Sequence, residues 1–249
     1  MAIAGCGGGT ATGATEAQPR LVVSAAASLK SAFTEYAKGL HSADVRFSFA
    51  GSDELAAQIV QGVRPDVFAA ANTKLPEQLH AKGLVERPVV FAGNRLVLAV
   101  PSSESGGGAG RVSALADLAR PGIDIAIGAP GVPIGAYTRT VLGRLPSALR
   151  ERVLVNVRSQ EPDVAGIVGK LTQGAVDAGF VYVSDVRASD GRLVAIDLPA
   201  DLQPAVAYGA AVVRGTRRPE QARAFIDGLV SGGGQEALRA AGFEPPPSS

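Results

Sequence analysis

The chain has 249 residues, 46% of them hydrophobic, which is enough to bury the core of one large domain or of two smaller lobes. Its 24 basic and 23 acidic residues leave a formal net charge of +1, so we expect no basic surface for nucleic acid. No apolar stretch is as long as a membrane-spanning helix, and 8 Phe, 4 Tyr and no Trp offer little for base stacking.

The N-terminal segment, residues 1–19, differs in composition from the rest and contains Cys6, the only cysteine. The sequence Ile3-Ala4-Gly5-Cys6 resembles the cleavage box of a bacterial lipoprotein, and the Gly- and Thr-rich stretch after it is typical of a flexible tether. We therefore predict that Cys6 is lipidated. Only five residues precede Cys6, fewer than a signal peptide needs, so we interpret the N-terminus as cut back. With one cysteine there is no internal disulfide or Cys-based metal site.

The first predicted element is a strand at residues 21–23 that leads through three alanines into a helix. Apolar residues at 29, 33, 36 and 37 repeat at helical spacing, which predicts that Ser28 is the N-cap. Backbone N–H groups are unpaired at a helix N-terminus and the helix dipole is positive there, so a small anion can bind without a cationic side chain. A serine that only caps its own helix is the alternative.

A second unit of the same kind follows at residues 47–60. An alternating strand ends at Gly51, which we interpret as easing the turn, and Ser52 then precedes an amphipathic helix. Two strand–serine–helix units predict a parallel α/β sheet whose carboxyl edge gathers helix N-termini around a ligand.

Later parts of the chain repeat this pattern. Pro133 precedes a predicted helix in which Ile134 lies in the first turn, and Asp163 is a good N-cap for a helix that begins at Val164. Tyr182 lies in an apolar strand and could be a core residue with an internally bonded hydroxyl. Strands are predicted over residues 21–23, 47–50, 66–71, 89–91, 94–101, 124–128, 153–157, 175–185, 191–198 and 205–213.

Several segments together are similar to the molybdate-binding proteins (ModA family) of ABC importers, in order and spacing, across nearly all of residues 20–245. These segments are residues 25–29, 49–56, 65–68, 132–135, 163–164 and 179–185. The resemblance implies an α/β, two-lobed type II periplasmic-binding-protein fold with the ligand in the interlobe cleft. The domains expected are a lipobox remnant and tether at 1–19, lobe 1 at 20–92 and 206–249, and lobe 2 at 93–205.

The resemblance also implies a set of ligand groups for molybdate. They are the hydroxyls and N–H groups of Ser28 and Ser52, the backbone N–H groups of Ile134 and Val164, and the hydroxyl of Tyr182. All but Tyr182 are also first-turn positions of predicted helices. Neutral donors suit a fully deprotonated dianion, because a protonated phosphate would carry an O–H that needs an acceptor. Sulfate is not excluded by this reasoning.

The sequence departs from the family pattern at Asp53, where Ser or Thr is usual. A carboxylate beside a bound dianion would be unfavourable. We therefore expect the Asp53 side chain to point to solvent along the start of its helix.

The function implied is that of a non-catalytic, extracytoplasmic binding protein that captures molybdate, and also tungstate, and delivers it to an ABC permease. We expect a monomer without cofactor, held at the outer face of the cytoplasmic membrane or in the periplasm through Cys6. Alternatives are a receptor for another oxyanion such as sulfate or for a small organic anion. An enzyme is disfavoured because the chain offers no plausible Ser–His–carboxylate set, metal cluster or phosphate loop. A regulator would need a DNA-binding module, which no segment resembles.

Overall fold

The computed structural model describes residues 20–40, 44–103 and 110–247. Cys6 lies outside the described residues, so its lipidation stays a prediction. The strands of the described part are β1 Arg20–Ala26, β2 Asp44–Ala50, β3 Val67–Ala70, β4 Val89–Asn94, β5 Leu96–Pro101, β6 Ile125–Gly128, β7 Val157–Glu161, β8 Ala178–Tyr182, β9 Leu193–Asp197 and β10 Val206–Val212. The α-helices are α1 Lys30–Lys38, α2 Ser52–Val60, α3 Lys74–Ala81, α4 Pro133–Gly143, α5 Ser147–Val155, α6 Val164–Thr172, α7 Val183–Arg187, α8 Pro219–Ser231 and α9 Gly233–Ala240.

The strands form two five-stranded sheets within these residues. The first has the order β2-β1-β3-β10-β4 and the second the order β7-β6-β8-β5-β9. In the first sheet β1 is parallel to β2 and β3, whereas β10 is antiparallel to β3 and β4. In the second sheet β6 is parallel to β7 and β8, whereas β5 is antiparallel to β8 and β9. The two predicted strand–serine–helix units are thus parallel as expected, and the antiparallel strands β10 and β5 make both sheets mixed.

The chain changes from one sheet to the other at two places. The first lies between Asn94, the last residue of β4, and Leu96, the first of β5. The second lies between Asp197, where β9 ends, and Val206, where β10 begins. These crossovers put both ends of the described chain on the first sheet. The exact lobe boundaries stay a prediction.

Phenylalanine packing holds the first serine-bearing turn in place. Phe33 of α1 is fully buried, and its ring centroid lies 5.5 Å from that of Phe225 in α8 and 6.1 Å from that of Phe91 in β4. The spacing of Leu29 and Phe33, both fully buried, directs this face of the helix toward the sheet. The β1–α1 connection is therefore supported by a rigid core.

The predicted strand at 153–157 is wrong. Residues 153–155 are the last turn of α5, and the strand begins only at Val157. Of the three apolar residues in this turn, Val153 is buried, whereas Leu154 and Val155 are 45% and 72% exposed. A short apolar run does not distinguish a strand from the end of a helix, and of this run only Val153 belongs to the buried core.

The strand predicted over 175–185 is also too long. β8 ends at Tyr182 and α7 begins at Val183, so Tyr182 lies where a strand meets a helix rather than inside a strand. No helix in the part of the chain that the structure describes is long and apolar enough to cross a membrane.

Candidate functional site

A small cavity lies between the elements of the two sheets. It contains all five positions that the sequence singled out: Ser28, Ser52, Ile134, Val164 and Tyr182. The rest of the lining is small or apolar except for one carboxylate: Ala26, Ala27, Ala50, Gly51, Ala71, Val132, Pro133 and Asp163. The tertiary structure thus brings together residues from four separate strand–helix connections and from the end of β8.

Helix N-termini form most of the cavity wall. Ser52 and Val164 are the first residues of α2 and α6, and Ile134 is the second residue of α4. N–H groups in a first helical turn have no carbonyl partner in their own helix, and the helix dipole gives them a partial positive charge. The cavity can therefore attract an anion although no lysine or arginine is among its lining residues.

Ser28 does not have the predicted N-cap position. It is the middle residue of a 3-10 turn, Ala27–Leu29, which precedes α1, and its side chain makes no capping hydrogen bond. The helical backbone begins before Ser28, so the N-cap of this turn is Ala26. Because Ser28 lies inside the first turn, its hydroxyl does not cap the helix.

The Ser28 hydroxyl instead has a partner from a distant strand. Its Oγ lies 3.0 Å from Oη of Tyr208 in β10, and both side chains are buried. The sequence interpretation missed Tyr208, because an aromatic residue in an apolar strand is ordinarily a core residue. No spacing signal connects it with Ser28, which is 180 positions away.

Ser52 is held in a similar way. The backbone N–H of Ala71, just after β3, donates to Ser52 Oγ over 3.0 Å. Ser52 is 2% exposed, so this bond is shielded from water. Since the oxygen accepts a bond from the protein, the hydroxyl hydrogen is available to donate to a molecule in the cavity.

Tyr182 has a buried hydroxyl without a partner. The residue is 1% exposed, and among the described residues its Oη makes no hydrogen bond. Burial raises the pKa of this phenol well above its ordinary value, and the neighbouring Tyr208, Tyr137 and Asp185 raise it further. The phenol therefore stays protonated at neutral pH. An unpaired buried hydroxyl costs on the order of 1–3 kcal/mol, which a hydrogen-bond acceptor in the cavity would recover.

Asp163 is the one carboxylate in the lining, and it is engaged with its own helix. Its Oδ1 accepts a 3.0 Å hydrogen bond from the Gly166 N–H, so the predicted N-cap is confirmed. This hydrogen bond and the positive end of the α6 dipole both stabilise the negative charge of Asp163.

Asp53 does not point to solvent, which corrects the expectation from the sequence. Its Oδ1 is buried without a hydrogen-bond partner in the described part of the chain. A Cβ atom on Gly131, in the loop before α4, would lie 3.8 Å from Asp53 Oδ2. The first turn of α2 thus packs against the opposite sheet's connections, which shield Asp53 Oδ1 from water although the residue as a whole is half-buried. Asp53 is not part of the cavity lining.

Two mixed α/β sheets with a cavity of helix N-termini between them define a two-lobed solute-binding protein. The chain belongs to the bacterial extracellular solute-binding protein family, whose profile matches residues 21–244. This confirms the fold class predicted from the sequence.

One relative and two solved structures show how far the similarity extends. Molybdate-binding protein ModA of Mycobacterium tuberculosis H37Rv is 34% identical over 239 residues, which are 94% of this chain and 88% of that protein. The periplasmic molybdate-binding protein of Azotobacter vinelandii is 24% identical with a TM-score of 0.80, over 91% of this chain and 100% of that one. The sulfate-binding protein SubI of M. tuberculosis is 15% identical with a TM-score of 0.78, over 91% and 87%. At these identities the two structures show the fold alone.

Proposed function

We propose that this chain captures molybdate outside the cytoplasm and delivers it to the permease of an ABC importer. The observation that carries the proposal is the cavity itself, in which neutral donors from both sheets converge and no cationic side chain takes part. The 34% identity to a protein named for molybdate binding supports the same ligand.

The donor set favours a fully deprotonated tetrahedral dianion. Each oxygen of molybdate only accepts hydrogen bonds, and the cavity presents hydroxyl and N–H donors. A protonated phosphate brings an O–H that needs an acceptor, and the one carboxylate in the lining, Asp163, already accepts from the Gly166 N–H. An unmet buried group costs on the order of 1–3 kcal/mol. Tungstate has the same charge and shape as molybdate, so we propose that it binds as well.

Each of the five residues has a proposed role toward the anion. Ser28 and Ser52 donate through their hydroxyl and backbone N–H groups, and Ile134 and Val164 through backbone N–H groups alone. Tyr182 donates through its phenol, which supplies the partner that its Oη lacks. Hydrogen bonds to a charged acceptor are stronger than neutral ones, about 1.5–3 kcal/mol each.

The wider role follows from the family, which consists of solute-binding proteins and is not an enzyme class. We propose a non-catalytic monomer that uses no cofactor and docks on the permease subunits of its importer. Its place is the cell envelope, at the outer face of the cytoplasmic membrane or in the periplasm, with Cys6 as the lipid anchor.

A thermal-shift panel of oxyanions tests the proposed ligand. A ligand that binds only the folded protein raises its stability by RT ln(1 + [L]/Kd), so equal concentrations rank the affinities. We expect molybdate and tungstate to raise the melting temperature far more than sulfate or phosphate, and calorimetry to give one site. A comparable response to sulfate would contradict the selectivity, and a response to a small organic acid alone would assign a different ligand class.

A further inference from the structure

Four buried polar side chains form two hydrogen-bonded pairs, one of which reaches the cavity. We call them the Ser28 network: Ser28, Tyr208, Asn94 and Ser184. Their exposed fractions are 7%, 0%, 4% and 3%, so water does not compete for their hydrogen bonds. Ser28 Oγ lies 3.0 Å from Tyr208 Oη, and Asn94 Nδ2 lies 2.9 Å from Ser184 Oγ. Of these residues only Ser28 lines the cavity.

The orientation of the Asn94 amide is determined by its own backbone. The N–H of Arg95 donates to Asn94 Oδ1 over 2.9 Å, and a backbone N–H can only donate. The other end of the amide, Nδ2, therefore faces the interior, where it donates to Ser184. Burial raises the pKa of the Tyr208 phenol strongly, and a hydrogen bond with the Asn94 side chain lowers it.

The direction of the bond between Tyr208 and Ser28 follows from the need to pair the phenol hydrogen. Tyr208 keeps its proton because it is fully buried. Ser28 Oγ is the hydrogen-bond partner that the structure gives this phenol, so a phenol that accepted from Ser28 would leave its own hydrogen unpaired in the core, which is costly. The phenol therefore donates to Ser28 Oγ. The Ser28 oxygen then accepts a bond, and its own hydrogen turns toward the cavity. Ser52 has the same arrangement, with the Ala71 N–H in place of the phenol.

We propose that Tyr208 is a positioning residue that orients the Ser28 hydroxyl as a hydrogen-bond donor to the bound oxyanion. This inference rests on the proposed function, since it assigns the cavity to an anion. Tyr208 touches the anion only through Ser28. A serine hydroxyl without such a partner can rotate and donate elsewhere, so preorganisation by Tyr208 lowers the cost of binding.

A double-mutant cycle with molybdate tests the inference. Calorimetry measures Kd for the unmodified protein, Tyr208→Phe, Ser28→Ala and the double variant. Tyr208→Phe keeps the buried ring and removes only the hydroxyl. We expect it to weaken binding about three- to tenfold in the unmodified protein, and less than about twofold when Ser28 is already alanine.

Tyr36→Phe is the matched control. Tyr36 is another buried tyrosine, in α1, with its Oη 3.2 Å from the Phe225 carbonyl oxygen and outside the cavity lining. We expect it to leave Kd unchanged.

The outcomes separate this inference from the proposed function. An equal loss of affinity in both Ser28 backgrounds would show that Tyr208 acts by packing, and no loss would show that it does not act at all, so either result overturns the inference while molybdate binding stands. If the unmodified protein does not bind molybdate, the proposed function fails and the inference with it.

Discussion

Gly51 packs directly against the carbonyl oxygen of Pro162, across the cleft between the two sheets. A methyl group at Gly51 would lie 2.6 Å from that oxygen. The backbone angles of Gly51, φ −58° and ψ 135°, are ones that any residue adopts, so the turn itself does not need glycine, contrary to the sequence interpretation. What requires glycine is the close approach of the two lobes at the edge of the cavity.

Gly51→Ala should therefore weaken anion binding without unfolding the protein. The added methyl group holds the connections of α2 and α6 apart, so donors from both sheets do not reach one anion together. We expect Kd for molybdate to rise at least about tenfold. Small-angle scattering with molybdate should show a less compact particle than the unmodified protein gives.

Gly169→Ala is the control for this change. Gly169 lies within α6, and a Cβ atom there would have nothing within 4 Å apart from its own chain neighbours and helix backbone. Alanine in a helix interior is about 0.5–1 kcal/mol more favourable than glycine, so this variant should be slightly more stable and bind normally. Normal binding by Gly51→Ala would contradict the role of the contact with Pro162.

Ser52→Ala should lose both affinity and stability. The change removes a donor to the anion and leaves the buried Ala71 N–H without its acceptor. We expect about a tenfold or greater loss in Kd and about 1–3 kcal/mol less stability of the ligand-free protein, measured by calorimetry and by urea denaturation. A variant that binds as tightly as the unmodified protein would remove Ser52 from the site.

Tyr182→Phe should lose affinity alone. The phenol has no hydrogen-bond partner in the described part of the chain, so phenylalanine breaks no internal bond and relieves an unmet buried group. We expect an unchanged or higher melting temperature for the ligand-free protein and a loss of about ten- to a hundredfold in Kd.

Tyr36→Phe should give the opposite result, because Tyr36 donates to the Phe225 carbonyl oxygen far from the cavity. Its melting temperature should fall and its affinity should stay the same. If Tyr182→Phe behaved like Tyr36→Phe, Tyr182 would be a core residue.

Asp185 should make the stability of the ligand-free protein depend on pH. Burial is the main cause that raises the pKa of this carboxyl to about 7, and the charge of Asp163 also raises it. The hydrogen bond that Oδ2 accepts from the Tyr182 N–H over 2.9 Å acts in the opposite direction. In the unfolded chain the pKa is about 3.9. Between these values the folded state holds more protons, so the contribution of Asp185 to stability is lost as pH rises from about 4 to about 7.

Asp185→Asn removes this ionisation and keeps an oxygen that accepts the Tyr182 N–H. The measured quantity is the melting temperature of this variant minus that of the unmodified protein. This difference should be larger at pH 8 than at pH 5 by about 3 °C or more. A difference between the two proteins that stays constant across this range would show that Asp185 does not titrate there.

Local features of the sequence predicted most of the helix starts that form the site. The apolar periodicity after Ser52 and Val164 and the proline before Ile134 depend only on near neighbours, and these positions lie in first helical turns as expected. The same logic assigned Ser28 to a helix start but placed it at the N-cap, because the 3-10 turn that carries it has no distinct sequence signal. Tyr182 came from family resemblance alone.

Only the tertiary structure decided the contacts between distant residues. Because β10 is antiparallel, the first sheet is mixed, and Tyr208 on this strand lies next to Ser28. The packing of α2 against the second sheet's connections buries Asp53 Oδ1 and leaves no room for a side chain at Gly51. Side-chain hydrogen-bond direction and steric clearance are properties of pairs of residues far apart in the chain. Local propensity carries no information about them, because it depends only on a residue and its near neighbours in the chain.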